Sequence, residues 1–256
     1  MKIHDFISKC IIVFCALLLL SPAFAAVKKG YHLGTPVSFK TSDGMIIAGL
    51  YNPAASQGMK TFILLHGLGS NQDEWQKFAG ELVAQGYGFL SYDARGHGKS
   101  TLTIDGKQVS YQNFGAPGPK SQWTRMITDL GDSVMFLVNE KKVRTKNIGI
   151  IGASVGANVA LIYSATNEAI PVVVLLSPGI NYAGFGTMDA IQWFHKRPIA
   201  IAASEADTYA YQSSQLLIQQ IQENSRAEFM PTEKGHGAEM FGGKFDKVLL
   251  RWLARH

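Results

Sequence analysis

The chain has 256 residues, of which 46% are hydrophobic and 17% are charged. It can therefore bury the core of one large α/β domain or two small ones, and it is not a disordered segment. The formal net charge is +5, and Lys and Arg are scattered without a basic run or a basic–aromatic pattern, which argues against nucleic-acid binding.

The first 25 residues have the pattern of a secretory signal peptide. Lys2 and Lys9 form a positive region, residues 10–20 are apolar, and Ala-Phe-Ala at 23–25 matches a cleavage site. The apolar stretch is shorter than the ~20 residues that a membrane span needs. We expect export to the periplasm or the extracellular space, with no stable membrane insertion after cleavage. The alternative is a leader that is retained as an anchor.

Both cysteines, Cys10 and Cys15, lie inside this leader. A mature chain that starts at Ala26 would contain none, which excludes disulfides, a thiol nucleophile and a cysteine-ligated metal. We predict that residues 26–256 form a single domain.

The mature chain begins with an antiparallel pair and continues with strands that alternate with helices. The pair is predicted at 37–40 and 45–51, with a turn between them. Later strands are predicted at 61–65, 87–92, 148–151, 172–176, 198–203 and 227–231, and helices at 73–85, 123–139, 157–164, 208–224 and 245–255. This alternation predicts an α/β fold whose mostly parallel sheet has helices on both faces and the initial pair at one edge.

Five chemically versatile residues come within a few residues of the end of a strand-like run: His66, Asp93, Ser154, Asp207 and His236. Because ligands bind at the carboxyl ends of parallel strands, we expect these residues to share one rim of the sheet.

Ser154 is the candidate nucleophile, since it lies in Gly-Ala-Ser-Val-Gly at 152–156, after an apolar strand and before an Ala-rich helix. Strand, tight turn, serine and helix form the context of a nucleophile elbow. Gly152 and Gly156 leave room for the cramped turn. The alternative is a glycine-rich turn without catalytic meaning.

The serine needs a base, and His236 is the best candidate. It lies between two glycines after the last strand, and the order Ser, Asp, His along the chain places the histidine last. The third group should orient the imidazole. Asp207 follows the strand at 198–203, and the competitors are Glu205 and Asp189.

A tetrahedral intermediate needs two oxyanion donors. We assign the backbone N–H groups of Val155, which follows the nucleophile, and of Leu68, which lies between Gly67 and Gly69 after the strand at 61–65. The side chain of His66 is interpreted as a brace of this loop.

Asp93, Arg95 and His97 are interpreted in the same way, as a polar network that stabilises a turn and takes no direct part in catalysis.

Five motifs in this order resemble the α/β-hydrolase superfamily, in its branch of serine aminopeptidase-like and monoacylglycerol lipase-like hydrolases. They are His-Gly-Leu-Gly at 66–69, Tyr-Asp-Ala-Arg-Gly-His-Gly-Lys-Ser at 92–100, the elbow at 152–156, Ser-Glu-Ala-Asp at 204–207 and Gly-His at 235–236. The resemblance covers about residues 36–256. It implies the same triad and oxyanion donors, no metal and no organic cofactor.

Many relatives carry a helical lid before the acid-bearing strand, but here only residues 180–197 are available. We therefore expect an open site, with the Gly- and Pro-rich loop at 101–120 as a candidate partial cover. The apolar rim is predicted from Tyr182, Phe185, Trp193 and Met240, for which core packing is the alternative.

These features predict a serine hydrolase that cleaves a small-molecule carboxylic ester of small or medium acyl length. A peptidase or amidase with the same triad is the closest alternative, because the catalytic groups do not select the leaving group. A catalytically silent binding protein on this fold is the alternative of another class.

Overall fold

The computed structural model describes residues 33–194, 196–221, 223 and 226–256. The predicted leader at 1–25 lies outside these residues. All described residues belong to one compact unit. Within them, no helix is both long and apolar enough to span a bilayer.

The strand bounds are β1 Thr35–Lys40, β2 Met45–Asn52, β3 Thr61–Leu65, β4 Gly88–Tyr92, β5 Leu102–Thr103, β6 Ile148–Ala153, β7 Val172–Leu176, β8 Asn181–Tyr182, β9 Phe185–Gly186, β10 Ile199–Ser204 and β11 Ala227–Thr232. The strands other than β8 and β9 form a mixed sheet in the order β1-β2-β4-β3-β6-β7-β10-β11, with β5 beside β2. The antiparallel pair β1 and β2 occupies one edge, β2 is antiparallel to β4, and the strands from β4 to β11 in this sheet order are parallel. The strands β8 and β9, of two residues each, form a separate small hairpin.

Helices cover both faces of the sheet, as the alternation predicts. Their bounds are α1 Gln76–Ala84, α2 Gln122–Asn139, α3 Val155–Thr166, α4 Met188–Gln192, α5 Thr208–Gln220 and α6 Lys244–Leu253. Neighbouring residues of β3 divide between two cores because side chains of a strand alternate between faces. Ile63 belongs to the core with α2 and α3, and Phe62 to the core with α1 and α6. A fully buried aliphatic or aromatic side chain in these cores contributes about 1.5–3 kcal/mol.

The segment predicted as a helix at 73–85 begins instead as a 3₁₀ helix, Gln72–Trp75, before α1. The Asn71 side chain accepts a hydrogen bond from the Asp73 N–H at 2.8 Å. Asp93 Oδ1 accepts one from the Gln72 N–H at 2.8 Å. These two contacts satisfy amide groups that a helix start leaves free, and they tie this turn to the end of β4.

Candidate active site

Ser154 stands at a strained turn between β6 and α3. Its backbone dihedrals are φ 54° and ψ −121°, a conformation that costs a non-glycine residue on the order of 1–3 kcal/mol. A Cβ at Gly152 would lie 2.2 Å from the Gly156 carbonyl oxygen, and one at Gly156 would lie 2.5 Å from that of Leu65. Only glycine therefore fits at either position, and the turn holds Ser154 at the carboxyl end of the central strand.

His236 and Asp207 form a hydrogen-bonded pair at the same rim, through His236 Nδ1 and Asp207 Oδ2. Asp207 caps α5, with its other oxygen 3.4 Å from the Ala210 N–H that it accepts. The strands β10 and β11 that precede the two residues are paired in register, Ser204 with Thr232. The parallel pairing of β10 and β11 therefore places Asp207 and His236 at the same rim of the sheet.

The loop that carries His236 lies directly over the end of β6. A Cβ at Gly237 would be 3.0 Å from the Ala153 Cβ, and the Gly237 N–H donates to Ser177 Oγ at 2.9 Å. In the described part of the chain, no hydrogen bond joins the Ser154 hydroxyl to His236. Catalytic hydrogen bonds are often loose without substrate and shorten when it binds.

The loop after β3 passes beside the serine: a Cβ at Gly67 would lie 3.4 Å from the Ser154 Cβ. His66 fixes this loop. Its Nε2 accepts the Ala94 N–H at 2.8 Å, and its Nδ1 donates to the Gly67 carbonyl at 2.7 Å. Because C=O and N–H of a planar trans peptide point in opposite directions, this contact also fixes the direction of the Leu68 N–H.

The tautomer of His66 follows from these contacts, since the ring must be neutral to accept at Nε2. The pKa of His66 is lowered to about 3, mainly by burial and to a smaller extent by the neighbouring His97, against the opposing effect of the hydrogen bond to the Gly67 carbonyl. The predicted role of His66 as a loop brace agrees with this geometry.

The N–H groups of Leu68 and Val155 donate to no acceptor among the described residues. Val155 is the first residue of α3, where amide groups have no partner inside the helix and the helix dipole favours negative charge. The two free donors stand on either side of the serine turn.

The charged residues after β4 form a hydrogen-bonded network. Arg95 donates to Asp129 through Nε at 2.6 Å and to Asp43 through Nη1 at 3.0 Å. Asp93 accepts the Lys99 N–H at 2.7 Å as well as that of Gln72. These contacts agree with the predicted stabilising role.

His97 completes this region. Its Nδ1 lies 2.9 Å from the Arg95 carbonyl, and its ring stacks on Tyr111 at 4.1 Å between centroids.

Among the described residues, neither competitor for the acid position hydrogen-bonds to the histidine ring. Glu205 is exposed, and its N–H donates to the Thr232 carbonyl at 2.9 Å. Asp189 is an exposed residue in the first turn of α4. Within the described residues, the acid that hydrogen-bonds to His236 is Asp207.

The four predicted rim residues separate into three environments. Tyr182 lies beside the pair, with its ring centroid 6.4 Å from that of His236. Trp193 is 65% exposed at the end of α4. Phe185 and Met240 are buried in the cores on opposite faces of the sheet. For these two residues the structure favours the core-packing alternative over an open rim.

The segment at 180–197 contains the β8–β9 hairpin, which sequence periodicity missed because its strands have two residues each. Asn158 of α3 holds this hairpin: its Nδ2 donates to the carbonyls of Gly179 at 2.9 Å and Phe185 at 2.8 Å.

The loop at 101–120 touches both sides of the site. Tyr111 Oη is 3.3 Å from a Cβ placed on Gly69, and Pro117 contacts Gly184.

A serine at a strained turn of a parallel sheet, beside a histidine–aspartate pair, is the arrangement of α/β hydrolases. Solved structures share the fold. The Pyrococcus furiosus esterase Pf2001 matches with a TM-score of 0.69 and 23% identity, over 86% of this chain and 91% of that one. The acetyl xylan esterase from Paenibacillus sp. R4 matches with a TM-score of 0.64 and 15% identity, over 89% and 86%.

The sequence model of the family described as "Serine aminopeptidase, S33" matches residues 57–230. The chain belongs to this family. The uncharacterized protein YnbC of Escherichia coli (strain K12) is 28% identical over 147 residues, which are 56% of this chain but 23% of that protein. The chain thus spans about a quarter of the length of this relative.

Proposed function

We propose that this protein is a serine esterase that cleaves carboxylic esters of small or medium acyl groups through an acyl-enzyme. The observation that carries the proposal is the hydrogen bond from His236 Nδ1 to Asp207 beside a strained Ser154. With Nδ1 bonded to the carboxylate, the other ring nitrogen, Nε2, is the one left to accept the serine proton.

The first half of the reaction forms the acyl-enzyme. Ser154 Oγ attacks the ester carbonyl carbon while His236 Nε2 takes its proton, and the carbonyl oxygen becomes an oxyanion between the N–H groups of Leu68 and Val155. The bond to the leaving oxygen then breaks, and the imidazolium returns the proton to that oxygen. An alcohol leaves, and the acyl group remains on Ser154.

The second half repeats these steps with water. His236 removes a proton from a water molecule, whose oxygen attacks the acyl carbon and forms a second oxyanion. Collapse of this intermediate releases the carboxylic acid, and the proton on His236 restores the Ser154 hydroxyl. Asp207 keeps the imidazole in the required orientation and balances its charge.

The preference for small or medium acyl groups is supported by the short segment between β7 and β10. It contributes one small hairpin and the five-residue helix α4, which is too little to enclose a long chain. Tyr182 beside His236 and the exposed Leu68 beside Ser154 provide apolar surface next to the reacting atoms.

A peptidase or amidase is the second candidate, because the family is described as serine aminopeptidase. The same three side chains would serve, with the protonated histidine donating to an amine leaving group.

The esterase and the peptidase or amidase are distinguished by comparing kcat/KM on matched substrates. The esters are p-nitrophenyl esters with acyl groups of two to twelve carbons. The amides are p-nitroanilides of the same acyl groups and of unblocked amino acids. We expect turnover of the shorter esters, abolished in Ser154→Ala. Faster cleavage of an unblocked aminoacyl anilide than of its matched ester would favour the aminopeptidase. No turnover of any substrate would favour a silent binding protein.

We also propose that the protein is exported and that cleavage follows Ala25. The support is the pattern of the first 25 residues. Cell fractionation and the intact mass of the exported chain test this: the mass should correspond to a chain that starts at Ala26. A full-length chain recovered with the membrane would indicate an anchor.

A further inference from the structure

Glu74 lies against the loop that carries the proposed oxyanion donor. It belongs to the 3₁₀ helix Gln72–Trp75 that follows this loop. Its Oε1 accepts a hydrogen bond from the Gly67 N–H at 3.2 Å, and interaction with the Ser70 side chain lowers the pKa of its carboxyl group. One side chain therefore interacts with both ends of the loop at 67–70.

With the bond to Glu74, both the carbonyl and the N–H of Gly67 are hydrogen-bonded. Its carbonyl accepts from His66 Nδ1 at 2.7 Å and from the Ser70 N–H at 3.2 Å, while its N–H donates to Glu74. The peptide units before and after Gly67 are thus both fixed. The second of these carries the Leu68 N–H, whose direction decides whether an oxyanion can be bound.

The 3₁₀ helix that carries Glu74 packs against the 3₁₀ helix Gly237–Met240 that follows His236. Burial raises the pKa of Glu74, a charge on His236 lowers it, and the charge of Glu239 raises it. The elements packed around this 3₁₀ helix carry other titratable side chains. These are His66 after β3, Asp93 after β4, Lys77 in α1, and His236 and Glu239 after β11. Asp93 is occupied by two backbone N–H groups.

We propose that Glu74 is a positioning residue for the hydrolysis, which orients the oxyanion-donating loop through the Gly67 N–H and stabilises the protonated form of His236 by its charge. The proposal rests on the proposed function. It assigns two effects to one carboxylate, a hydrogen-bond acceptor and a negative charge, and the charge can be removed while an acceptor is kept.

The test compares Glu74→Ala, which removes both effects, with Glu74→Gln, which keeps an acceptor and removes the charge. The matched control is Glu81→Gln, an exposed glutamate in α1. Values of kcat and KM for p-nitrophenyl butyrate are measured from pH 5 to 9, with thermal unfolding of each variant.

We expect Glu74→Ala to lower plateau kcat about 10- to 100-fold with KM changed less than threefold, because the oxyanion forms only after substrate binding. The loss in Glu74→Gln should be at least fivefold smaller. In that variant the acid limb of kcat/KM should move to lower pH by about 0.5–1 unit, because the imidazolium loses a neighbouring negative charge. The Glu81→Gln profile should overlay the wild type.

Plateau kcat of Glu74→Ala within twofold of wild type, or an unmoved acid limb in Glu74→Gln, would overturn the proposal. If Glu74→Ala does not fold, the acid limb of Glu74→Gln decides alone. Failure of the proposed function has a different signature: the wild type would then neither hydrolyse the ester nor react with a fluorophosphonate at Ser154.

Discussion

Two histidines that each precede a glycine, His66 and His236, lie at the same rim of this sheet. They differ in solvent exposure and in the groups that contact their ring nitrogens. The His236 side chain is 43% exposed and hydrogen-bonded to a carboxylate. His66 is 3% exposed, and both ring nitrogens contact backbone groups. Burial lowers the pKa of His66 to about 3.

The comparison shows how the surroundings of a histidine suit it to different tasks. A general base must be reachable by substrate and held by an orienting partner, and His236, the proposed base, is exposed and bonded to Asp207. An imidazole whose two nitrogens hold backbone groups cannot change its protonation without breaking a contact. His66 therefore suits a brace, and its position decides where the Leu68 N–H points.

The largest expected effect separates the two histidines by activity. We expect Ser154→Ala and His236→Ala each to lower kcat by about four to six orders of magnitude, because the nucleophile and its base act as one unit. The double variant should lose no more than either single variant. Additive losses, measured by kcat on a p-nitrophenyl ester, would show that the two side chains act independently.

The next effect tests the partner of His236. Asp207→Asn should lower kcat by about 10²- to 10⁴-fold, because an amide no longer holds the imidazole in the required tautomer. Glu205→Gln is the matched control two residues away and should stay within threefold of wild type. A crippled Glu205→Gln beside an active Asp207→Asn would move the acid role to Glu205.

A smaller effect is expected at His66. His66→Ala removes two hydrogen bonds from a buried position, so it should lower unfolding free energy by about 2–4 kcal/mol and kcat by about 10- to 100-fold. His66→Gln has a donor and an acceptor that can replace part of these contacts, and its losses should be smaller. Denaturant unfolding and steady-state kinetics on the same preparations measure both. A loss of kcat in His66→Ala as large as in His236→Ala would make His66 a second base.

The smallest effect is the pH dependence of stability that His66 causes. Its pKa in the folded state lies below the ordinary value, so the unfolded chain binds more protons between about pH 6.5 and about pH 3. Unfolding free energy should therefore fall as the pH is lowered through this window, by up to about 1.4 kcal/mol for each pH unit. Urea titrations at pH 5 to 8 should show a shallower fall in His66→Gln. Equal slopes would contradict the assigned burial effect.

The fold was largely predictable because apolar runs and turn residues report buried strands directly. β3 and β7 have the predicted bounds, Thr61–Leu65 and Val172–Leu176, since strands covered on both faces are continuously apolar. The β8–β9 hairpin is not predicted from the sequence, because strands of two residues are too short to show a hydrophobic period. The 3₁₀ helix Gln72–Trp75 has a helical sequence pattern and was predicted as part of α1.

The candidate site could be proposed from the sequence only where chain order and local motif coincide. Ser154, Asp207 and His236 each follow a strand, and parallel strands end at one rim. Phe185 and Met240 were predicted at an open rim because their apolar character does not reveal which side of a loop faces the core. Glu74 lies in an ordinary helix start, and nothing in its local sequence shows that it reaches back to Gly67.

The most direct test of the account is the reaction of the protein with a fluorophosphonate, followed by peptide mass analysis. The wild type should carry one adduct, on Ser154, and His236→Ala should acquire it at least a thousandfold more slowly. An adduct on another residue, or equal labelling rates in the two proteins, would contradict the claim that His236 activates Ser154.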